Sequence, residues 1–141
     1  MPVDTTTHLN FRGDARAALQ FYRSVFGGDL AVITYREAGA GQNPAEADQV
    51  MWGQVVSSNG FRVMAYDAPA RLPWSRGDTS FFVSVRGREP EEITQYWKRL
   101  SEGATVLQQL AHAPRAPLYG MLTGRFGVTW VLDAVGDHDG S

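Results

Sequence analysis

Apolar and polar positions recur along this chain in two similar halves. From residue 12 the sequence reads RGDARAALQFYRSVFGG, and from residue 86 it reads RGREPEEITQYWKRLSEG. Gln20-Phe21-Tyr22-Arg23 matches Gln95-Tyr96-Trp97-Lys98 at an offset of 96 − 21 = 75 residues. Only two copies fit into the chain, which is too few for a solenoid. The pattern therefore predicts one supersecondary unit that occurs twice.

The first copy predicts a strand, a turn and a helix. Residues 7–11 are short and β-prone, and they are followed by Gly13. Asp14 is a favourable helix N-cap, and Gly27-Gly28 is a typical helix end. Between them, apolar residues recur at the three-to-four-residue spacing of an amphipathic helix. They are Ala18, Phe21, Tyr22 and Val25.

The second copy predicts the same order of elements. Residues 80–85 form the candidate strand, and Gly87 is assigned to the turn that follows. Pro90 suits the first helical position, and Gly103 is expected to end the helix. Its apolar stripe consists of Ile93, Tyr96, Trp97 and Leu100.

Three further strands are predicted after each helix. In the first half they span residues 29–35, 49–56 and 61–67, and Asn59-Gly60 is a strong hairpin signal. In the second half they span residues 105–110, 119–122 and 128–133. The last strands end alike, in Tyr66-Asp67-Ala68 and Leu132-Asp133-Ala134.

These elements predict an α+β fold of two pseudo-symmetric βαβββ units. Each helix should cover one face of its sheet, so the remaining faces are expected to curve around a shared cleft, with the helices outside. We interpret residues 1–141 as a single domain. Unit 1 covers about 5–68, a linker 69–78, unit 2 about 79–135 and a tail 136–141.

Composition limits the classes of partner. The chain has 141 residues, 43% hydrophobic residues and a formal net charge of −2, and no basic run marks a nucleic-acid surface. It has no cysteine, which excludes disulfides and thiolate ligands. Neither a secretory signal pattern nor an apolar segment of about 20 residues occurs, so we expect a cytoplasmic protein that does not span a membrane.

Several motifs together resemble the vicinal oxygen chelate superfamily, which has the glyoxalase and bleomycin-resistance fold. They are Leu9-Asn10-Phe11, Ala17 through Gly28, Val50-Met51, Val63-Met64-Ala65 and Arg125 through Trp130. Within that superfamily the chain is most similar to the PhnB-like branch. Some members of this branch are labelled 3-demethylubiquinone methyltransferase-like, but no glycine-rich nucleotide loop follows the first predicted strand.

The resemblance implies positions for a divalent metal ion, on the first and last strands of each unit. Thr7, Ser80, Met64 and Val131 stand there, and none is a good ligand for such an ion. His8 lies one residue from a ligand position and is expected to face the helix, because successive strand residues face opposite sides. PhnB-like proteins commonly have a histidine where this chain has Trp52. We therefore expect neither a metal nor another cofactor.

Alternation along the strands predicts which residues face the cleft. They are Thr7, Leu9, Trp52, Gln54, Met64, Ser80, Phe82, Tyr119, Met121, Thr129 and Val131. Stacking by Trp52 and a hydrogen bond from Gln54 suit a flat, partly apolar small molecule. The alternative is that Trp52, Met64 and Phe82 simply fill the core.

Other polar residues give weaker signals. His112 lies in a proline-rich loop and His138 in the tail, while Glu37, Glu46 and Asp48 lie in a long polar loop. These acids are candidate general bases, and the alternative is that their loop is a solvated connector. Trp74, in the linker, is expected to pack against a partner subunit or to cover the cleft.

Two functional hypotheses follow. The first is a protein that binds a small molecule without a metal, as a homodimer. The second is a metal-dependent enzyme of the glyoxalase, lyase or dioxygenase type, with an atypical ligand set around His8. A cleft filled by its own side chains would instead indicate a structural or interaction module.

Overall fold

The computed structural model describes residues 5–40, 43–77, 81–113 and 116–135. The chain divides into two compact units between Arg76 and Gly77. This boundary lies within the predicted linker 69–78. Ser80 and His138 lie outside the described residues.

Unit 1 contains four strands and one helix in its described part. In chain order these are β1 (Thr7–Phe11), α1 (Ala15–Phe26), β2 (Asp29–Thr34), β3 (Val50–Val56) and β4 (Arg62–Asp67). The strand order in the sheet is β1-β4-β3-β2. β1 runs parallel to β4, and the other neighbours are antiparallel. The sheet is therefore mixed.

Unit 2 repeats this arrangement. Its described elements are β5 (Val83–Gly87), α2 (Pro90–Leu100), β6 (Thr105–Ala113), β7 (Ala116–Thr123) and β8 (Thr129–Ala134). The strand order is β5-β8-β7-β6, with β5 parallel to β8. The predicted α+β class and the βαβββ repeat are confirmed. Neither helix within the described ranges is long and apolar enough to cross a membrane.

In each unit the helix covers one face of its own sheet, where a strand glycine permits close contact. A Cβ added to Gly53 on β3 would lie 2.5 Å from Leu19 Cδ1 of α1. A Cβ added to Gly120 on β7 would lie 2.8 Å from Trp97 Cζ3 of α2. These two glycines occupy the same place in the repeat. They identify the sheet face beneath each helix, which holds the core of that unit.

The predicted end of the first strand of unit 2, residue 85, is wrong by two residues. Gly87 lies at the end of β5, not in the following turn. A Cβ at Gly87 would lie 3.3 Å from Ile93 Cδ1, so this glycine makes room for α2. The register pairs Gly87 with Ala134 and Phe11 with Asp67, which places Gly87 at the position that Phe11 has in unit 1.

The N-terminus of α1 is capped by a distant residue. Asp14 occupies the N-cap position as predicted, but within the described part of the chain its side chain makes no capping hydrogen bond. Instead, Oδ1 of Asp67 accepts hydrogen bonds from the backbone N–H of Gly13 and Ala15, at 2.7 and 3.0 Å. Oδ2 of Asp67 accepts a third, from Val50 N–H at 2.9 Å. One buried carboxylate therefore joins α1, β3 and β4.

Candidate functional site

The side chains opposite α1 form what we call the distal face of unit 1. Gly53 faces α1, and it pairs with Ala65, which pairs with Leu9. Because side chains alternate along a strand, the neighbouring residues point away from α1. The residues of the distal face used below are His8, Asn10, Trp52, Gln54, Met64 and Tyr66. His8, Met64 and Gln54 form one row across the sheet, since His8 pairs with Met64 and Met64 with Gln54.

The predicted facing of β1 is wrong by one residue. Leu9 is 2% exposed and Thr7 pairs with the fully buried Val63, so both belong to the helix side. His8, which was expected to face the helix, lies on the distal face. A one-residue slip reverses every side chain of a strand. The alternation of apolar Leu9 and Phe11 with polar His8 and Asn10 was the signal that could have shown this.

His8 has two polar or aromatic neighbours on this face. Its Nδ1 lies 2.9 Å from Oδ1 of Asn10, and its ring meets that of Tyr66 edge to face with centroids 5.2 Å apart. Neither Asn10 nor Tyr66 was among the predicted site residues. The site is therefore more polar at the β1 edge than the sequence analysis indicated.

Trp52, Gln54 and Met64 lie together on the distal face of unit 1, and that this face lines a cleft stays a prediction. All three are half-buried, as is Tyr66. Trp52 also pairs with Ile33 of β2, which is 40% exposed. These side chains present aromatic, thioether and amide groups that are partly accessible to solvent, unlike the side chains of a closed core.

The corresponding face of unit 2 carries four of the remaining predicted residues, namely Tyr119, Met121, Thr129 and Val131. Tyr119 pairs with Asp133, Met121 with Val131, and the hydroxyls of Thr129 and Thr123 lie 2.9 Å apart. Thr129 and Val131 are buried, whereas Tyr119 and Met121 are half-buried. Phe82 precedes β5 and is 46% exposed. Ser80 lies outside the described residues.

The buried carboxylate of Asp133 is neutralised on this second face. Arg86 Nε lies 3.2 Å from both carboxylate oxygens, and its Nη2 lies 2.9 Å from Oδ2. Such a two-pronged pair fixes both side chains. Asp133 therefore serves to hold Arg86 on β5.

The side chains at the metal positions of the superfamily do not fit a divalent ion. In unit 1 the register places His8, instead of Thr7, beside Met64, and in unit 2 it places Ser84 beside Val131. Of the side chains in each pair, only the His8 imidazole is a typical ligand for such an ion. Within the described ranges no three acidic or histidine side chains gather where they could hold an ion.

The three acids considered as general bases have structural contacts. Glu37 Oε1 accepts hydrogen bonds from the N–H and the hydroxyl of Thr34, and these lower the pKa of Glu37. Asp48 pairs with Arg36 at 3.1 Å, and Glu46 accepts a hydrogen bond from Ala70 N–H. These contacts therefore stabilise the conformation of the β2–β3 loop.

Tyr35 connects this loop to β4. Its hydroxyl donates to the backbone carbonyl of Asp67 at 2.7 Å. Partial burial, followed by the nearby charges of Tyr66 and Glu46, raises the pKa of Tyr35. The hydroxyl therefore remains a donor to higher pH than an ordinary tyrosine would.

Trp74 packs within its own unit. Its indole N–H donates to the carbonyl of Asn10 at 3.0 Å, and the guanidinium of Arg12 lies 5.7 Å from the ring centroid. Arg12 also donates to the carbonyls of Pro69 and Leu72. The linker is thereby tied to the end of β1. His112 lies exposed on β6, which is longer than predicted.

Comparisons with known proteins agree with this architecture. The sequence model of the family described as 3-demethylubiquinone-9 3-methyltransferase matches residues 3–132. No curated protein matches the chain. Protein PA1353 from Pseudomonas aeruginosa has a similar solved structure, with 28% identity, a TM-score of 0.83, and coverage of 96% of this chain and 100% of that one.

Two other solved structures share the fold at lower identity. A putative 3-demethylubiquinone-9 3-methyltransferase, PhnB protein, from Bacillus cereus is 23% identical, with a TM-score of 0.72 and coverage of 94% and 100%. A glyoxylase/bleomycin resistance protein/dioxygenase domain from Frankia is 11% identical, with a TM-score of 0.64 and coverage of 96% and 98%. The chain belongs to the family described as 3-demethylubiquinone-9 3-methyltransferase, and it has the fold of these solved structures.

Proposed function

We propose that this PhnB-like protein binds a small, flat, partly apolar molecule on the distal face of unit 1, without a metal ion. The observation that carries the proposal is the block of half-buried side chains on adjoining strands, formed by Trp52, Gln54, Met64 and Tyr66. Binding sites for small molecules combine mainly apolar walls with a few polar groups that fix orientation. This block has both kinds of side chain.

The size of the block suits a one- or two-ring molecule. Neighbouring strands are about 4.8 Å apart, so the row from His8 through Met64 to Gln54 spans about 10 Å. Trp52 and Tyr66 offer ring faces and edges for stacking, and the Met64 thioether contacts aromatic rings favourably. Gln54 offers an amide donor and an acceptor. The ligand therefore needs a planar apolar body and polar groups at its ends.

The alternative is a metal-dependent enzyme of the glyoxalase, lyase or dioxygenase type. One observation favours it, since His8 stands on the first strand beside Met64 of the last strand. A single imidazole beside a thioether does not make a site for a hard or borderline ion. We therefore rank binding without a metal first.

Methyl transfer, which the family description names, is not part of this proposal. An open helix N-terminus after a first strand is a common binding place for the phosphate and other anionic groups of nucleotide cofactors. Here the first strand-to-helix turn is occupied, because the Asp67 carboxylate accepts the N–H groups of Gly13 and Ala15. That carboxylate fills the place of an anionic ligand.

Removing the Trp52 ring is the direct test of the binding proposal. Chelator-treated protein is titrated with naphthol and methoxynaphthalene, with affinity measured by calorimetry. We expect Trp52→Leu to weaken binding about tenfold or more, because a central aromatic contact is lost. Leu107→Ala is the control, since Leu107 is an exposed apolar residue on β6. Equal losses in both variants, or binding that requires added Ni²⁺, Zn²⁺, Mn²⁺ or Fe²⁺, would contradict the proposal.

The homodimer, the cytoplasmic location and the absence of a nucleic-acid partner stay predictions. A dimer is consistent with the exposed apolar side chains of unit 2, where Phe81 is 58% and Leu107 54% exposed. The shared cleft between the two units also stays a prediction.

A further inference from the structure

We infer that His8 and Asn10 form a positioned hydrogen-bond acceptor, which selects ligands that carry a weakly acidic O–H group. This inference rests on the proposed function, because it names the polar group that the ligand presents to the distal face of unit 1. His8 would bind that hydroxyl through Nε2, while Asn10 acts as a positioning residue. The ligand class is then a planar aromatic alcohol or enol.

The hydrogen bond between His8 and Asn10 determines the imidazole tautomer. His8 Nδ1 lies 2.9 Å from the Oδ1 of Asn10, and a carbonyl oxygen can only accept. Nδ1 must therefore carry the proton. In a neutral imidazole the other nitrogen then has a lone pair, so Nε2 is an acceptor.

Two further contacts hold this pair in place. The Tyr66 ring meets the His8 ring at 5.2 Å and 72°, which restricts rotation of the imidazole. The backbone carbonyl of Asn10 accepts the indole N–H of Trp74 at 3.0 Å, which fixes the edge of β1. An acceptor that is held in advance loses less conformational entropy when a ligand binds.

The position of His8 relates it to the rest of the binding face. His8 lies at the β1 end of the row that continues through Met64 to Gln54. A ring that lies against Met64 and Trp52 can place its hydroxyl at His8. Gln54 then contacts the opposite end of the ligand, so the row distinguishes the two ends of the molecule.

The tautomer can be tested without any ligand. Long-range NMR correlations of isotope-labelled histidine rings, at about pH 8, distinguish a protonated Nδ1 from a protonated Nε2. We expect His8 to carry its proton on Nδ1, and Asn10→Ala to move it mainly to Nε2. His8→Gln assigns the resonance. A wild-type His8 protonated on Nε2, as free imidazole prefers, would overturn the inference.

Ligand selectivity is the second test, and it uses a matched pair of probes. Naphthol has the O–H group, and methoxynaphthalene has the same rings without it. We expect the wild-type protein to prefer naphthol about tenfold at about pH 8, which corresponds to one hydrogen bond. His8→Ala should abolish this preference, and His112→Ala, on β6, should keep it.

The outcomes separate the two proposals. If both probes bind wild-type protein equally well, the inference about His8 is wrong and the binding function stands. If neither probe nor any other flat aromatic ligand binds, the proposed function fails, and the inference fails with it. A preference for naphthol that survives in His8→Ala would also overturn the role of His8.

Discussion

Asp67→Asn is expected to lower the free energy of unfolding by about 3 kcal/mol. The carboxylate is 1% exposed and accepts hydrogen bonds from Gly13, Ala15 and Val50. An asparagine keeps one oxygen, but its NH₂ group must face at least one backbone N–H. The buried side-chain NH₂ group then faces a backbone N–H group, and neither donor has an acceptor. Because the bonds join three elements, the loss should affect the whole of unit 1.

Chemical denaturation and thermal unfolding measure this effect. For a chain of this size we expect the Tm to fall by about 10 °C. Asp48→Asn is the matched control, because its side chain is 85% exposed and its pair with Arg36 lies at the surface. The control should change stability by less than about 0.5 kcal/mol. If the two variants were equally stable, Asp67 would not have the capping role that we assign to it.

Gly120→Ala is expected to destabilise unit 2 by about 3 kcal/mol through overpacking. The added Cβ would lie 2.8 Å from Trp97 Cζ3 and 2.9 Å from the backbone Cα of Leu110. The Trp97 ring is 8% exposed, so it is packed on α2 and has little room to move. The Cβ is thus confined between a ring and a strand backbone, and α2 must shift from its sheet.

Gly124→Ala is the control for this prediction. The nearest atom to a Cβ at Gly124 is Trp130 Nε1 at 3.6 Å, which is an ordinary contact. Urea unfolding should show a clear loss of stability for Gly120→Ala and a change below about 1 kcal/mol for Gly124→Ala. Equal effects of the two substitutions would mean that close packing of α2 on β7 does not require a glycine.

Periodicity predicted the helices and the hairpins well, because those signals are local. The matched apolar stripes place Tyr22 and Trp97 at equivalent positions, and both are buried. Asn59-Gly60 lies in the turn between β3 and β4, as the hairpin signal indicated. The mixed βαβββ arrangement followed from the order of these elements.

The facing of β1 is harder to predict, because the family resemblance and the apolar–polar pattern of the strand disagree. The resemblance places Thr7 at the ligand position, whereas the register gives that place to His8. Gly87 gives a similar error, because the sequence pattern assigns it to a turn whereas it lies at the end of strand β5. In five-residue strands, alternation of apolar and polar residues is the more direct signal.

The last strands of the two units, β4 and β8, end in similar sequences, but their aspartates have different roles. Asp67 faces α1 and caps it, whereas Asp133 lies on the opposite face of its sheet and pairs with Arg86. Ala134 has the position in unit 2 that Asp67 has in unit 1, because Asp67 pairs with Phe11 and Ala134 pairs with the equivalent Gly87. A cap supplied from a distant strand leaves no local pattern, so only the structure reveals it.

Isotope-labelled methionine methyl groups provide the most direct test of binding on the distal face of unit 1. The chain has four methionines, and Met64→Leu assigns the resonance of Met64. In chelator-treated protein titrated with naphthol, we predict a dose-dependent shift of the Met64 resonance. A Met64 resonance that stays unchanged while calorimetry records binding, or that moves only after a divalent ion is added, would contradict binding at this face without a metal.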